Sequence, residues 1–156
     1  MPRLDTSLES SGAEFLVLGN LLIEGIQTFK AYTNFPGYDL IATSPQHQTA
    51  CRIQVKSRWA TDFDGGFPIR NFDCDFVVLV ALNRGYRYRR RVTAKDTGRK
   101  DPQFFICPIA VVQSAQLIDS HWGKVFLKQI DNIEHYENQW SLIRTFLESA
   151  HGSPSS

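Results

Sequence analysis

Hydrophobic positions recur along this chain with two different periods, and each change of period marks an element. Residues 7–24 carry helical spacing, whether the helix starts there or only after Ser11. Phe15, Leu18 and Leu22 share one face, Leu21 lies close by, and Gly25 is placed to end the helix. The stretch IQTFKAY (26–32) alternates as a strand does, and TNFPG (33–37) has the composition of a turn. YDLIAT (38–43) is short and apolar apart from Asp39, and SPQHQT (44–49) reads as a loop. ACRIQVKSR (50–58) then alternates strictly, with Cys51, Ile53 and Val55 on one face and Arg52, Gln54, Lys56 and Arg58 on the other.

Residues 59–73 make a loop long enough to be functional or to pack on itself. DFVVLVAL (75–82) is almost continuously apolar, the mark of a strand covered on both faces. FFICP (104–108) reads as a further strand, Ala110–Leu117 as a short helix, and KVFL (124–127) as a short strand or a helical extension. A closing helix spans Asn132 to Leu147, with Ile133, Tyr136, Trp140, Ile143 and Leu147 as its apolar stripe and Asp131 with Glu134 as a capping box. Strands between two terminal helices predict an α/β fold, a central mixed sheet flanked by helices, in one domain over residues 1–150. Residues 151–156, HGSPSS, read as a disordered tail.

Composition changes this picture little: 42% hydrophobic and 21% charged residues are ordinary for a soluble domain. No apolar run approaches a membrane span, and the N-terminus lacks the apolar segment of a signal peptide. The three cysteines lack zinc-ligand spacing and fall in or beside strands, so a reduced, cytoplasmic protein is expected. His47, His121 and His135 are isolated and are read as surface or packing residues. Charge distribution is more telling than its total. Arg87, Arg89, Arg90, Arg91, Lys95, Arg99 and Lys100 oppose only Asp96 between residues 86 and 100; removing this local +6 from the net +1 leaves −5 for the rest. A mildly acidic body with one basic stretch points to a local polyanion contact, and Tyr86 and Tyr88 among the arginines suit stacking as well as phosphate contacts.

The two central strands also concentrate chemistry. If the 44–49 loop joins them symmetrically, Asp39 lies opposite Gln54 and Lys56 follows two residues along the same face. A one-residue slip would send Asp39 to the other side. Each residue has a plainer reading. Asp39 can be a turn residue, Gln54 and Lys56 a solvated strand face, and Glu14 the partner of Ser11 in a capping box.

Taken together, Gly12-Ala13-Glu14 on the first helix, Gly37-Tyr38-Asp39 opening a strand and Gln54-Val55-Lys56 on its partner resemble the PD-(D/E)xK nuclease superfamily. The likeness is to its small restriction-endonuclease-like and Holliday-junction-resolvase-like members, in a variant where Gln54 replaces the last acidic residue, as in Mrr-type restriction enzymes. The resemblance implies a restriction-endonuclease-like core and a Mg²⁺-dependent (or Mn²⁺-dependent) DNA endonuclease leaving 5′-phosphate and 3′-hydroxyl ends. It implies Glu14, Asp39, Gln54 and Lys56 as catalytic residues, and Asp39, the Gln54 side-chain oxygen and the Val55 carbonyl as metal ligands. Lys56 would orient or deprotonate the attacking water, with Glu14 supporting it or a water of the metal site from one step further out. Arg58, together with Arg87, Arg89, Arg90, Arg91, Lys95, Arg99 and Lys100, would hold DNA. One site cuts one strand, so a homodimer or a further subunit is implied for cutting both. Two rival readings remain: a nuclease-fold subunit that binds nucleic acid or a partner without cutting, and a scaffold whose basic loop docks an acidic protein.

Overall fold

The computed structural model describes residues 7–31, 38–61, 66–69, 73–86, 98–116 and 124–149. The expected loop residues Arg87, Arg89, Arg90, Arg91 and Lys95, and the expected tail at 151–156, lie outside them. The described elements run α1 (Ser7–Ile23), β1 (Gln27–Lys30), β2 (Leu40–Ser44), β3 (Thr49–Arg58), β4 (Phe67–Pro68), β5 (Phe76–Ala81), β6 (Gln103–Pro108), α2 (Ile109–Ala115), β7 (Lys124–Val125) and α3 (Ser141–Glu148). Short 3₁₀ turns occupy Leu127–Gln129 and Ile133–Tyr136.

Five strands form a mixed sheet in the order β1-β2-β3-β5-β6, antiparallel throughout except for the parallel pair β3/β5. The fold is therefore α/β with a central mixed sheet flanked by helices, as the patterning predicts. One face carries Leu40, Ala42, Cys51, Ile53, Val55, Val78, Val80 and Ile106 against α1 and α3. The other carries Val77, Leu79, Phe105 and Cys107 against α2 and the small β4/β7 ribbon. β5 is buried along its whole length, which explains its unbroken apolar run.

Three elements depart from the sequence pattern. In α1 the face toward the sheet is Ala13, Val17 and Leu21, whereas Phe15 and Leu22 are exposed. The helix is apolar on two faces, and the side with smaller residues lies on the sheet. Because α1 begins at Ser7, Ser11 is inside the helix and caps nothing. Gly25 does end it: at φ +82° its N–H bonds Leu22 O while Ile26 N–H bonds Leu21 O. The Arg144 guanidinium on α3 also donates to the Glu24 carbonyl, joining the helices.

The closing helix is two pieces. Ile133–Tyr136 is a 3₁₀ turn packed on the α2 side, Asn132 before it is left-handed with no side-chain cap, and only Ser141–Glu148 is α-helical, on the α1 side. Between them the chain rounds the edge of β6, where Glu137 bridges Phe105 and Asn138 N–H bonds Phe104 O at 2.8 Å. A continuous helix cannot serve both faces of one sheet. The 59–73 loop, finally, contains β4, whose Phe67 is fully buried.

Candidate active site

The site forms where β3 outlasts its neighbour. The four-residue turn between β2 and β3 holds the symmetric register, with Leu40 opposite Ile53, Ala42 opposite Cys51 and Ser44 opposite Thr49. This pairing covers only the first half of β3. The second half, from Ile53 to Arg58, pairs with β5 on the other side. Beyond Leu40 the edge of β3 facing β2 is released from the ladder.

Asp39 sits at that fork. Its N–H bonds Ile53 O at 2.8 Å, its carbonyl accepts from Ala31 N–H at 2.9 Å, and its Oδ2 accepts from Val55 N–H at 2.8 Å. The carboxylate thus continues the ladder for one residue in place of main chain. In an extended strand a residue's N–H and C=O leave on the same edge, so the Val55 carbonyl emerges on the side of Asp39. Gln54 and Lys56 point to the sheet face opposite α1, because the intervening Val55 packs in the α1-side core. Gln54 is only 7% exposed, and its Oε1 has no hydrogen-bond partner among the described residues. Such an acceptor costs about 1–3 kcal/mol to bury. Lys56 is half-buried one step on. Arg58 follows, its guanidinium carbon 5.6 Å from the centre of the Phe67 ring.

The Asp39 carboxylate, the Gln54 amide oxygen and the Val55 carbonyl, on neighbouring positions of the fork, are of the oxygen types that a Mg²⁺ can take when substrate and water supply its remaining ligands. Among the described residues, no group of three His, Cys, Asp or Glu side chains is placed to hold a metal.

Glu14 has a different setting. Its Oε1 lies 3.1 Å from Lys30 Nζ, which also rests 4.6 Å over the Phe15 ring. Lys30 stands opposite Leu40, so this pair is on the α1 side of the sheet, across from Gln54 and Lys56. Lys30 was missed by sequence reasoning, although Glu14 and an alternating strand after the helix were both visible. Arg52, on the Lys56 face, is engaged elsewhere: Nη1 meets Asp73 at 2.7 Å and Nε meets Asp75 at 3.5 Å, and hydrogen bonding to Asp75 raises its pKa further.

The basic segment leaves from the same end of the sheet. β3 and β5 are parallel, and the chain after β5 is laced to the chain after β3. Leu82 N–H bonds Arg58 O at 2.9 Å, Arg84 N–H bonds Trp59 O at 2.9 Å, and Thr61 N–H bonds Gly85 O at 2.8 Å. The Thr61 hydroxyl donates to Gly98 O at 2.6 Å and accepts from Gly85 N–H at 3.1 Å, clamping both limbs of the basic hairpin. Arg84 opposes Arg99 across these limbs, and both are exposed, as is Lys100. Gly98, at φ +64°, lies so close beneath the Tyr86 ring that an added Cβ would sit 2.5 Å from it. Arg84 and Thr61 escaped the sequence reading because their contacts are with backbone distant in sequence.

No helix among the described residues is long and apolar enough to cross a membrane. No family model matches the chain, and no curated protein matches it either. Among solved structures it is similar to that of a bacterial homing endonuclease, I-Ssp6803I, with 20% sequence identity over 91% of this chain and 94% of that one, at a TM-score of 0.57. The chain therefore has the fold of an endonuclease.

Proposed function

We propose that this chain is a metal-dependent DNA endonuclease of the PD-(D/E)xK type, with its site at the fork between β2 and β3. The observation that carries the reading is the buried, unpartnered Gln54 Oε1 beside the Asp39 carboxylate on Val55. The fold shared with a homing endonuclease supports it.

Asp39, Gln54 Oε1 and the Val55 carbonyl would hold Mg²⁺ or Mn²⁺. When bound, the ion supplies charge neutralisation at the phosphate and lowers the pKa of water. Lys56 orients the attacking water and meets the negative charge that grows on the phosphate in the transition state. Arg58, held over Phe67, takes a neighbouring phosphate. Arg84, Arg99 and Lys100 at the hairpin base carry the duplex onto the same end of the sheet. Glu14 supports the fork from behind, through Lys30.

The test is a panel of plasmid, linear and branched DNA incubated with and without Mg²⁺. Wild type should cut only with the ion, and Lys56→Ala should cut at least about 10²-fold more slowly while unfolding at the same temperature. Equal, ion-independent nicking by both proteins would overturn the assignment. One observation favours a second reading, a DNA-binding protein of this fold that does not cut: among the described residues no three His, Cys, Asp or Glu side chains are grouped to hold a metal. Ion-independent binding with no cleavage of any substrate would select it.

A further inference from the structure

Among the described residues, the outer face of α1 is covered only where Lys30 Nζ rests 4.6 Å over the Phe15 ring. Leu8, Phe15, Leu22 and Ile23 are 79%, 56%, 50% and 83% exposed, and Leu16 is 40% exposed. At 100° per residue these five lie within roughly 120° of arc, diametrically opposite the buried Ala13, Val17 and Leu21. Gly12 and Gly19 lie in the same stripe, each with open space where a Cβ would stand. A surface helix needs one apolar face, and a helix with two has two partners.

Except at Leu22, whose mirror position is Glu9, the stripe reads the same in both directions. A two-fold axis between residues 15 and 16 sets Leu8 against Ile23, Gly12 against Gly19 and Phe15 against Leu16. Large side chains then meet large ones at the centre and the ends, and the glycines meet between them and let the helices approach closely. Such self-complementarity is what an isologous contact between identical copies requires. The five side chains expose roughly 500 Å² of apolar surface, about the apolar share of the ~800 Å² that each partner contributes to a standard interface. A lipid surface is the wrong occupant, because α1 contains no Lys or Arg and carries Glu9 and Glu14.

We infer that the outer face of α1 is the dimer interface of this protein, two copies packing antiparallel through Leu8, Gly12, Phe15, Leu16, Gly19 and Ile23. α1 covers the sheet face opposite Gln54 and Lys56, so the dimer leaves both candidate sites open. The inference is independent of the cleavage reading.

Light scattering and sedimentation of the full chain at micromolar concentrations should give the mass of two chains. Phe15→Glu should give the mass of one, with an unchanged circular dichroism spectrum. Phe29→Glu, an exposed aromatic on the other sheet face, should remain dimeric. Register is tested by oxidation, for which the three native cysteines are buried and silent. Leu16→Cys should form a disulfide-linked dimer, whereas Ile23→Cys alone should not, since Ile23 meets Leu8 of the other copy. A wild-type mass of one chain, a dimer indifferent to Phe15→Glu, cross-linking of Ile23→Cys as readily as Leu16→Cys, or co-sedimentation of single chains with phospholipid vesicles would each overturn the inference.

Discussion

Among the described residues the buried Gln54 Oε1 has no hydrogen-bond partner, and such burial costs about 1–3 kcal/mol. Leucine or methionine would fill the same space without that cost. If Gln54 holds the proposed ion, Mg²⁺ should raise the melting temperature of the wild type, and Gln54→Met should raise the unfolding free energy by about 1 kcal/mol and abolish that Mg²⁺ effect. A destabilised variant with the Mg²⁺ effect intact would show the amide to be structural. The placing of Asp39 across from Gln54 and Lys56 was legible because a short symmetric loop joins β2 to the alternating β3, so that register follows from spacing alone. The setting of Glu14 was not. A helix residue's partner depends on which helix face meets the sheet, and α1 offers two apolar faces.

At the scale of elements, the chain flanking residues 87–97 forms a base that would join the proposed DNA contact to the scaffold. Arg84 and Arg99 are bridged across this base, and both are exposed. Gly98 permits this base to form, since its left-handed backbone and the overlying Tyr86 ring both exclude a side chain. Gly98→Val should cost about 2 kcal/mol or more and weaken DNA binding about tenfold. The loss should be equal for unrelated sequences, as measured by fluorescence anisotropy across a salt series. Loss confined to one sequence would mean that the hairpin reads bases. The closing segment teaches a complementary lesson. Ile133, Tyr136, Trp140, Ile143 and Leu147 keep helical spacing, but the first two face one core and the rest the other. Periodicity reports which residues are buried, and it is silent on whether they are buried in the same place.

Over the whole molecule, the sheet separates two apolar layers, and each contains buried thiols: Cys51 on the α1 side, Cys74 and Cys107 on the other. Burial pushes Cys74 up to about 11 and Cys107 up to about 12, with Cys51 raised further. Each thiol stays neutral in the folded chain while the unfolded chain ionises above its ordinary value of 9.0. Stability is thus full below about pH 9 and falls as pH climbs toward about 12. Urea unfolding at successive alkaline pH values should show this decline, and Cys107→Ala should flatten part of it. The α/β class and the helix-strand order were readable from the change of hydrophobic period. The parallel pairing of β3 with β5 was not, since it is decided by how the 59–73 segment crosses and packs.

The early end of β2 leaves one proton in an unusual position. The amide of Val55 is guarded by a side-chain carboxylate, where every regular strand neighbour would offer a peptide oxygen. Whatever draws charge from Asp39, a cation or a proton, must be felt first at this N–H. One backbone resonance at the heart of the sheet thereby becomes a built-in gauge of what occupies the fork.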